Sequence, residues 1–473
     1  MESLGFISVL PPLIAILLAL LTRNVYIALF IGCYSAFTIL AGNPFTGIIN
    51  TLNSFVKVFA SSSNTIIILS ILMIGGIIQL INKSGGIQGF IKYAIHQKAF
   101  IKDRKAAQLF SWIIGVLVFT SGTLHCLVAG TIARPLSDAF KVSHEKLTYI
   151  IRTTSTPVCV LLPLSGWGAF MIGLLQAQGV KDATTVLAQS IPFNFYCLIA
   201  VLSVPLVILS GKDIGSMKAA EERAQTTGLL DRPKDGAEDR LATSQSAAAY
   251  EGQKESSMLN MVAPLAALIV MILVALFVTG KGSLLKGSGM QALLWGCTFA
   301  VFVAGLLYLF QRIMTFDKFL DNFFGGAGQM LSVAAILMLA FSLGDVVKEI
   351  GTGGYLASVF KEALTPALLP LLIFAISCVI SFATGTSMGT MAVMSPIAIP
   401  LAMAVGGNIP LTFAALVGGS IFGDHSSPIS DTAILSCSTS GCDLMDHVTS
   451  QLPYALLSAA LATVLYLVAG FMF

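Results

Sequence analysis

Eight stretches, 4–22, 25–41, 64–82, 191–210, 259–279, 290–311, 330–346 and 453–472, are 17 to 22 residues long and share one charged residue, Asp345. A helix rises 1.5 Å per residue, so about 20 apolar residues cover the hydrocarbon core of a bilayer. The chain is therefore read as an all-α polytopic membrane protein. Its composition agrees: 10% of the 473 residues are charged, against roughly 25% in a soluble protein. The first run follows Met1-Glu2 with no basic segment before it, and is expected to stay as a span. Most of the eight cysteines (Cys33, Cys126, Cys159, Cys197, Cys297, Cys378, Cys437, Cys442) lie in apolar runs without a CxxC pair. They read as small buried hydrophobes.

Four further apolar regions, 107–133, 149–178, 368–404 and 410–437, are broken in the middle by Gly, Pro, Ser and Thr. Breaking a helix in lipid strands backbone groups at several kcal/mol each, on the order given by transfer scales, so such breaks persist only against protein or a water-filled cavity. They mark binding sites. Short echoes pair the two halves: Pro12-Leu13-Ile14-Ala15 with Pro264-Leu265-Ala266-Ala267, FTSGT (119–123) with FATGT (382–386), Ser155-Thr156-Pro157 with Ser426-Ser427-Pro428, and Ile191-Pro192-Phe193 with Leu452-Pro453-Tyr454. They keep the same order at separations of 252, 263, 271 and 261. Two repeats are expected, 1–210 and 258–473, joined by a charged linker, 211–257.

That linker holds 16 of the 49 charges and is expected to be solvated. If 107–133 and 368–404 are re-entrant hairpins, each repeat has five spans and a broken helix, and the second repeat is inverted. Placing the loop 83–105 and the linker in the cytoplasm puts 20 of 26 Lys and Arg on that side, as the positive-inside rule requires. Both termini then lie outside.

Inverted repeats with paired broken helices are the architecture of secondary transporters, which bind solute and ion near the midplane. One candidate site is Thr384-Gly385-Thr386-Ser387 with its echo Thr120-Ser121-Gly122-Thr123. Hydroxyls and freed carbonyls there offer hard oxygen ligands. The other is GDHSSPISDTAILS (423–436). Intramembrane acids are costly and point to function, so Asp424 and Asp431 are expected to carry Na⁺ or H⁺ coupling, with Na⁺ at Asp431, Thr386 and Ser387. His425 is either a proton carrier or a hydrogen-bonding neighbour. Ser155, Thr156, Pro157, Ser426, Ser427 and Pro428 form the two breaks. Arg152 either snorkels to the interface or binds a substrate carboxylate, and Trp167 lines the pathway or anchors at the interface. His125 reads as a satisfied interior histidine, and Asp443, Asp446 and His447 as a solvated loop. No GxxxxGK[ST], HExxH or GxSxG occurs, which argues against an ATP-driven pump or a hydrolase.

The run GDHSSPISDTAILSCSTSGCDLMDHVTSQLPYAL (423–457) resembles the NhaC-type Na⁺/H⁺ antiporter family. SFATGTSMGT (381–390) and VAGTIARPLSDAFKVSHEKLTYIIRTTSTPVCVLLPLSGWGAF (128–170) resemble it too. The resemblance implies an ion-coupled transporter of the inner membrane, among relatives that exchange Na⁺ and H⁺, malate and lactate, or amino acids. Members carry acids where this chain has Ser121-Gly122 and Arg152. That departure favours an organic solute, an amino acid or small carboxylate, over plain Na⁺/H⁺ exchange. A channel or a membrane enzyme is the reading from another class. No cofactor and no nucleic acid are expected; the partners are the bilayer, a small solute, a coupling ion and, as a homodimer, a second copy of the chain.

Overall fold

The computed structural model describes residues 4–22, 24–86, 103–117, 122–162, 166–232, 256–282, 288–352 and 365–473, with the single positions 89, 119, 355 and 359. No strand occurs among them. The first half contains α1 (Leu10–Thr22), α2 (Val25–Ala41), α3 (Pro44–Ala60), α4 (Ser62–Lys83), α5 (Arg104–Leu117), α6 (Gly122–Ala139), α7 (His144–Thr154), α8 (Thr156–Leu161), α9 (Gly166–Ala177), α10 (Ala183–Ser190) and α11 (Phe195–Ser210). After α12 (Gly215–Thr227) come α13 (Leu259–Thr279), α14 (Gly289–Phe310), α15 (Phe316–Gln329), α16 (Leu331–Glu349), α17 (Leu369–Thr384), α18 (Ser387–Val405), α19 (Ile409–Ser426), α20 (Asp431–Ser440) and α21 (Leu444–Met472).

The same order of helix types occurs in both halves. Two apolar helices precede an amphipathic one (α3, α15), and a long apolar helix (α4, α16) follows. A hairpin (α5–α6, α17–α18) and an interrupted helix (α7–α8, α19–α20) come next. The packing crosses over: α4 lies on α14 and α15, while α16 lies on α2 and α3. Each half therefore seats one helix on the matching pair of the other.

Among the described residues eight helices are long and apolar enough to cross a membrane, or up to ten if each of two bent pairs counts as one span. The pairs are His144–Leu161 with Gly166–Ala177, bent by 49°, and Ala183–Phe193 with Phe195–Ser210, bent by 46°. Large apolar side chains such as Leu17, Val270, Phe302 and Val464 are more than half exposed. In a soluble protein this would be a liability; here it is the lipid-facing surface. Seven of the cysteines are buried, Cys378 is partly so, and all are free thiols.

With lipid outside, helices gain little by hydrophobic association and pack instead through small residues. A Cβ on Gly75 of α4 would lie 2.5 Å from the Gly326 carbonyl of α15, and one on Gly326 would lie 2.3 Å from the Gly75 carbonyl. The same device joins α19 to the hairpin arm α17: a Cβ on Gly419 would meet the Phe374 carbonyl at 2.4 Å, and one on Gly423 the Phe382 nitrogen at 2.3 Å.

Three expectations change. The run at 191–210 begins as a 3-10 turn, Ile191–Phe193, and its α-helix starts at Phe195, since Pro192 and the bend at Asn194 interrupt it. The run at 453–472 belongs to a 29-residue helix that starts at Leu444 and passes through Pro453. Asp443 caps it by accepting from the Met445 and Asp446 nitrogens, and His447 is buried rather than solvated.

The third change concerns the linker. Its residues 213–232 fold onto the rest of the protein. Met217, Ala220, Glu221 and Ala224 of α12 are buried, and α12 packs on α7 and α21. Three successive residues at the start of α7 each hold a linker residue. His144 meets Asp231 at 2.8 Å, Glu145 accepts from Arg223 Nη2 at 2.8 and 2.9 Å, and Lys146 pairs with Asp213. Glu221 accepts from Arg104 and from the Ser143 nitrogen; burial raises its carboxyl above the usual range while Arg104 opposes that rise. Residues 233–255 of the linker lie outside the described residues.

Removing one partner of a largely buried pair costs on the order of 3 kcal/mol, whereas an exposed i,i+4 pair contributes about 0.3–0.5 kcal/mol. Arg223→Ala should therefore lower the unfolding temperature of the purified protein and open 213–232 to protease. Lys218→Ala, which removes an exposed pair with Glu222 at 3.8 Å, should leave both readouts unchanged.

Candidate functional site

Two breaks and the turn of the second hairpin meet at one place, where the described part of α6 also starts, at Gly122. In the first half, α7 ends at Ser155 (φ −80°, ψ −102°) and α8 restarts at Thr156-Pro157, where the proline supplies no N–H to continue the ladder. In the second half, α19 stops at Ser426, and Ser427-Pro428-Ile429-Ser430 carry the chain to α20. Ser430 caps the new helix by accepting from the Ala433 nitrogen. The second hairpin turns at Gly385 (φ +68°), after which Thr386 caps α18 through the Gly389 nitrogen.

Gly385 is there for two reasons. Its φ is one that L side chains rarely adopt. A Cβ would also lie 2.8 Å from Ile429 Cγ1 and 3.0 Å from the Ile429 carbonyl. The hairpin tip is thereby pressed against the break of the neighbouring helix.

Arg152, wholly buried, ties the two breaks together. Its Nη1 donates to Ser155 Oγ (3.4 Å) and Thr156 Oγ1 (3.3 Å), its Nη2 to the Asp424 carbonyl (2.7 Å) and Ser430 Oγ (3.0 Å). The same Nη2 is 3.4 Å from Asp424 Oδ1. The Asp424 carboxylate also accepts from Ser430 Oγ at 2.6 Å and from Ser387 Oγ, on the hairpin, at 3.2 Å. This joint thus contains one positive and one negative charge.

Asp431 is different. It opens α20, it is exposed into the cavity, and its Oδ1 accepts from the Thr432 nitrogen at 2.7 Å. No cationic side chain among the described residues forms an ion pair with it. With Arg152 at +1 and the two acids at −1 each, the site has a net charge of −1 when both acids are ionised.

The cavity has a volume of about 400 Å³. Gly122, Thr156, Gly166 and Trp167 come to its wall from the first half, and Thr386, Ser387, Met388, Asp424, Asp431 and Thr432 from the second. Ile71, Ile74 and Ile78 of α4 and Val333 and Ile336 of α16 supply the apolar side, with Tyr26, Gln329, Met330 and Ser332 at one end. α8, α16, α18 and α20 begin at this wall, and the described parts of α6 and α9 start there at Gly122 and Gly166. Helix N-termini carry partial positive charge and free N–H groups, so the cavity offers one ionisable acid with hydroxyls for a cation and several N-termini for an anionic group.

Of the residues singled out in the sequence, Gly122, Thr156, Thr386, Ser387, Asp424 and Asp431 reach the wall, and Trp167 joins them there. Ser155, Pro157, Thr384, Gly385, Ser426, Ser427 and Pro428 build the turns behind it. Arg152 is neither at the lipid interface nor on the wall. His425 also stands behind, with Nδ1 hydrogen-bonded to Tyr196 Oη (2.7 Å) and Nε2 to Thr153 Oγ1 (3.3 Å). His125 is buried and meets the Ile151 carbonyl at 2.9 Å. Thr120, Ser121 and the Thr123 side chain lie outside the described residues. Tyr26, Gln329, Ser332 and Tyr196 were missed, and Ser430 was covered only as part of the run 423–436. Gln329 could have been noticed as a polar residue closing the glycine-rich run GGAGQ; the others give no such signal.

The Na⁺/H⁺ antiporter family model matches residues 158–471. An uncharacterized protein of Haemophilus influenzae is 31% identical over 490 residues, covering 98% of this chain and 91% of that protein. The arginine/ornithine antiporter ArcD of Halobacterium salinarum is 28% identical over 223 residues, 47% of this chain and 44% of ArcD. Among solved structures, that of Neisseria gonorrhoeae MtrF, from a class of antimetabolite efflux pumps, superposes with a TM-score of 0.54 at 15% identity, covering 89% of this chain and 84% of that one. This last likeness concerns the fold.

Gly385→Ala would force a Cβ into the left-handed region at about 1–2 kcal/mol, besides crowding Ile429. It should therefore slow transport at least tenfold in vesicles, while Gly406→Ala, which also has positive φ but open space around it, should cost stability alone.

Proposed function

Since the chain belongs to the Na⁺/H⁺ antiporter family, we propose that it is an ion-coupled secondary transporter of the inner membrane whose organic solute is an amino acid or a small carboxylate. The observation that carries this reading is the cavity itself, shared by both breaks and the second hairpin tip, with a single uncompensated carboxylate on its wall. A volume of about 400 Å³ exceeds what a dehydrated Na⁺ needs. It is in the range of sites for small organic molecules. A zwitterion matches its charges: an ammonium or Na⁺ at Asp431, Thr386 and Ser387, and a carboxylate across the cavity at Gly122 and Gly166, where α6 and α9 start. Arg152 then takes no direct part in holding the solute, because its terminal nitrogens are committed to Asp424 and the two breaks. ArcD, by its name an antiporter of two amino acids, supports the same solute class.

Coupling follows from charge. An empty site with Asp431 ionised has an unbalanced negative charge that is costly to move through low dielectric. A proton or a Na⁺ on Asp431 removes it. The two cations therefore compete for one carboxylate, and the loaded forms are those that cross. The charged linker lies in the cytoplasm, with 20 of the 26 basic residues on that side.

Asp431→Asn keeps the shape but can neither release a proton nor balance Na⁺. It should fold and reach the membrane yet abolish coupled transport; wild-type rates would sink the coupling role. Na⁺ should raise the unfolding temperature of the wild type, by mass action about 2.7 kcal/mol at 100 times Kd, and leave Asp431→Asn unmoved. Amino acids and carboxylates screened the same way identify the solute. If Na⁺ alone stabilises and none of them adds to it, the protein is a plain Na⁺/H⁺ antiporter. For sidedness, Thr226→Cys should resist an impermeant maleimide in intact cells and Lys281→Cys should react.

A further inference from the structure

The interrupted span that starts at the linker end with His144 reaches the cavity at Thr156, Gly166 and Trp167 and continues along α9 to Gln178. α16 leaves the cavity in the same sense, from Ser332 and Ile336 toward Asp345 and Lys348, and packs on α9. α4 completes the corner, with Ile71 on the cavity wall and Ile67 one turn beyond it. Past the cavity the three helices close around Gly173. A Cβ there would meet Ile67 Cγ2 and Leu337 Cδ2 at 3.2 Å and Phe341 Cζ at 3.4 Å. Ile67, Leu337 and Phe341 are 0–1% exposed. This is a dry plug, and a turn further on the character changes.

Gln178 is 3% exposed, yet neither its Oε1 nor its Nε2 has a hydrogen-bond partner; Gln176 Oε1 is buried and likewise unpartnered. An orphaned buried amide atom costs about 1–3 kcal/mol, so three together, next to a close helix contact, require an explanation. A Cβ on Gly344 would lie 2.8 Å from the Ala177 carbonyl and 2.9 Å from Gln178 Nε2. The helix ends are therefore held shut over side chains suited to water or a polar solute. Beyond them Gly179, Lys181, Asp345 and Lys348 are exposed.

We propose that Ile67, Leu337 and Phe341, closed on Gly173, are the gate of the cavity's second mouth, and that Gln176 and Gln178 line that mouth on the face opposite the linker. The inference rests on the cavity being the transport site and holds whichever solute it takes. When α9 and α16 separate, the apolar plug parts and the glutamine amides, which have no partner within the protein, line the open path. The glycines at 173 and 344 keep the closed state tight without bulky side chains to unlock.

The experiment uses the full-length protein in vesicles with the linker end inside, and reads ²²Na⁺ flux and thiol labelling. Gln178→Cys should react slowly with an impermeant maleimide added outside when Na⁺ is absent and the pH is equal on both sides, and at least fivefold faster during turnover. Combined with Asp431→Asn, the acceleration should vanish. Phe341→Ala should produce a passive Na⁺ leak at least tenfold above wild type, while Na⁺ still raises the unfolding temperature. Labelling that is equal at rest and in turnover, in a wild-type background that transports, would overturn the gate, as would Phe341→Ala that folds and exchanges without leak. A wrong solute assignment shows separately, as failure of amino acids and carboxylates to stabilise the protein, with the labelling response intact.

Discussion

A guanidinium taken out of water loses several kcal/mol of hydration even after its surroundings relax. Arg152, with no exposed surface, recovers it only through groups that the two halves of the chain supply jointly: Ser155 and Thr156 from its own break, Asp424 and Ser430 from the other. Both breaks are positioned by this contact. Because Ser387 also donates to Asp424, the second hairpin is fixed to the same point. The pair is neutral, so Asp431 is left to set the electrostatics of the cavity. A buried pair is weak evidence for stability in general; here its value lies in register, since a one-turn slip of α19 against α7 would leave both charges alone.

Around that joint the packing depends on how closely backbones approach. Gly75 with Gly326, and Gly419 and Gly423 against α17, bring helices near enough for their main chains to touch. Such contacts leave little room for gradual deformation, and close-packed interiors shift between discrete arrangements.

Apolar run length made the spans legible in the sequence. Run length is a direct record of bilayer thickness, which is why α1, α2, α4, α13 and α14 fall where the runs do. The breaks were legible because Gly, Pro, Ser and Thr cluster there and recur in the same order in both halves, whereas single small residues also serve helix packing. The amphipathic helices α3 and α15 and the docked linker helix α12 were not, since their pattern is that of an ordinary amphipathic surface. Arg152 shows the other limit. Its residue type suggested an anion or the interface, and only the fold could bring an acid 272 residues away to meet it. His447 and the linker residues Asp213, Arg223 and Asp231 were read as solvated because charge in a sequence says nothing about a partner distant along the chain.

That separation of 272 residues has a cost during synthesis. Chains grow at about 5–20 residues per second, so Arg152 precedes Asp424 by roughly 14 to 54 s. Through that interval the first half holds an unmatched cation, while the linker residues that pair with His144, Glu145 and Lys146 are made well before it ends. Until the second half is made, α7 has its guanidinium without the acid that offsets its desolvation. The two halves are complements rather than autonomous modules, since each buries a charge that only the other can match.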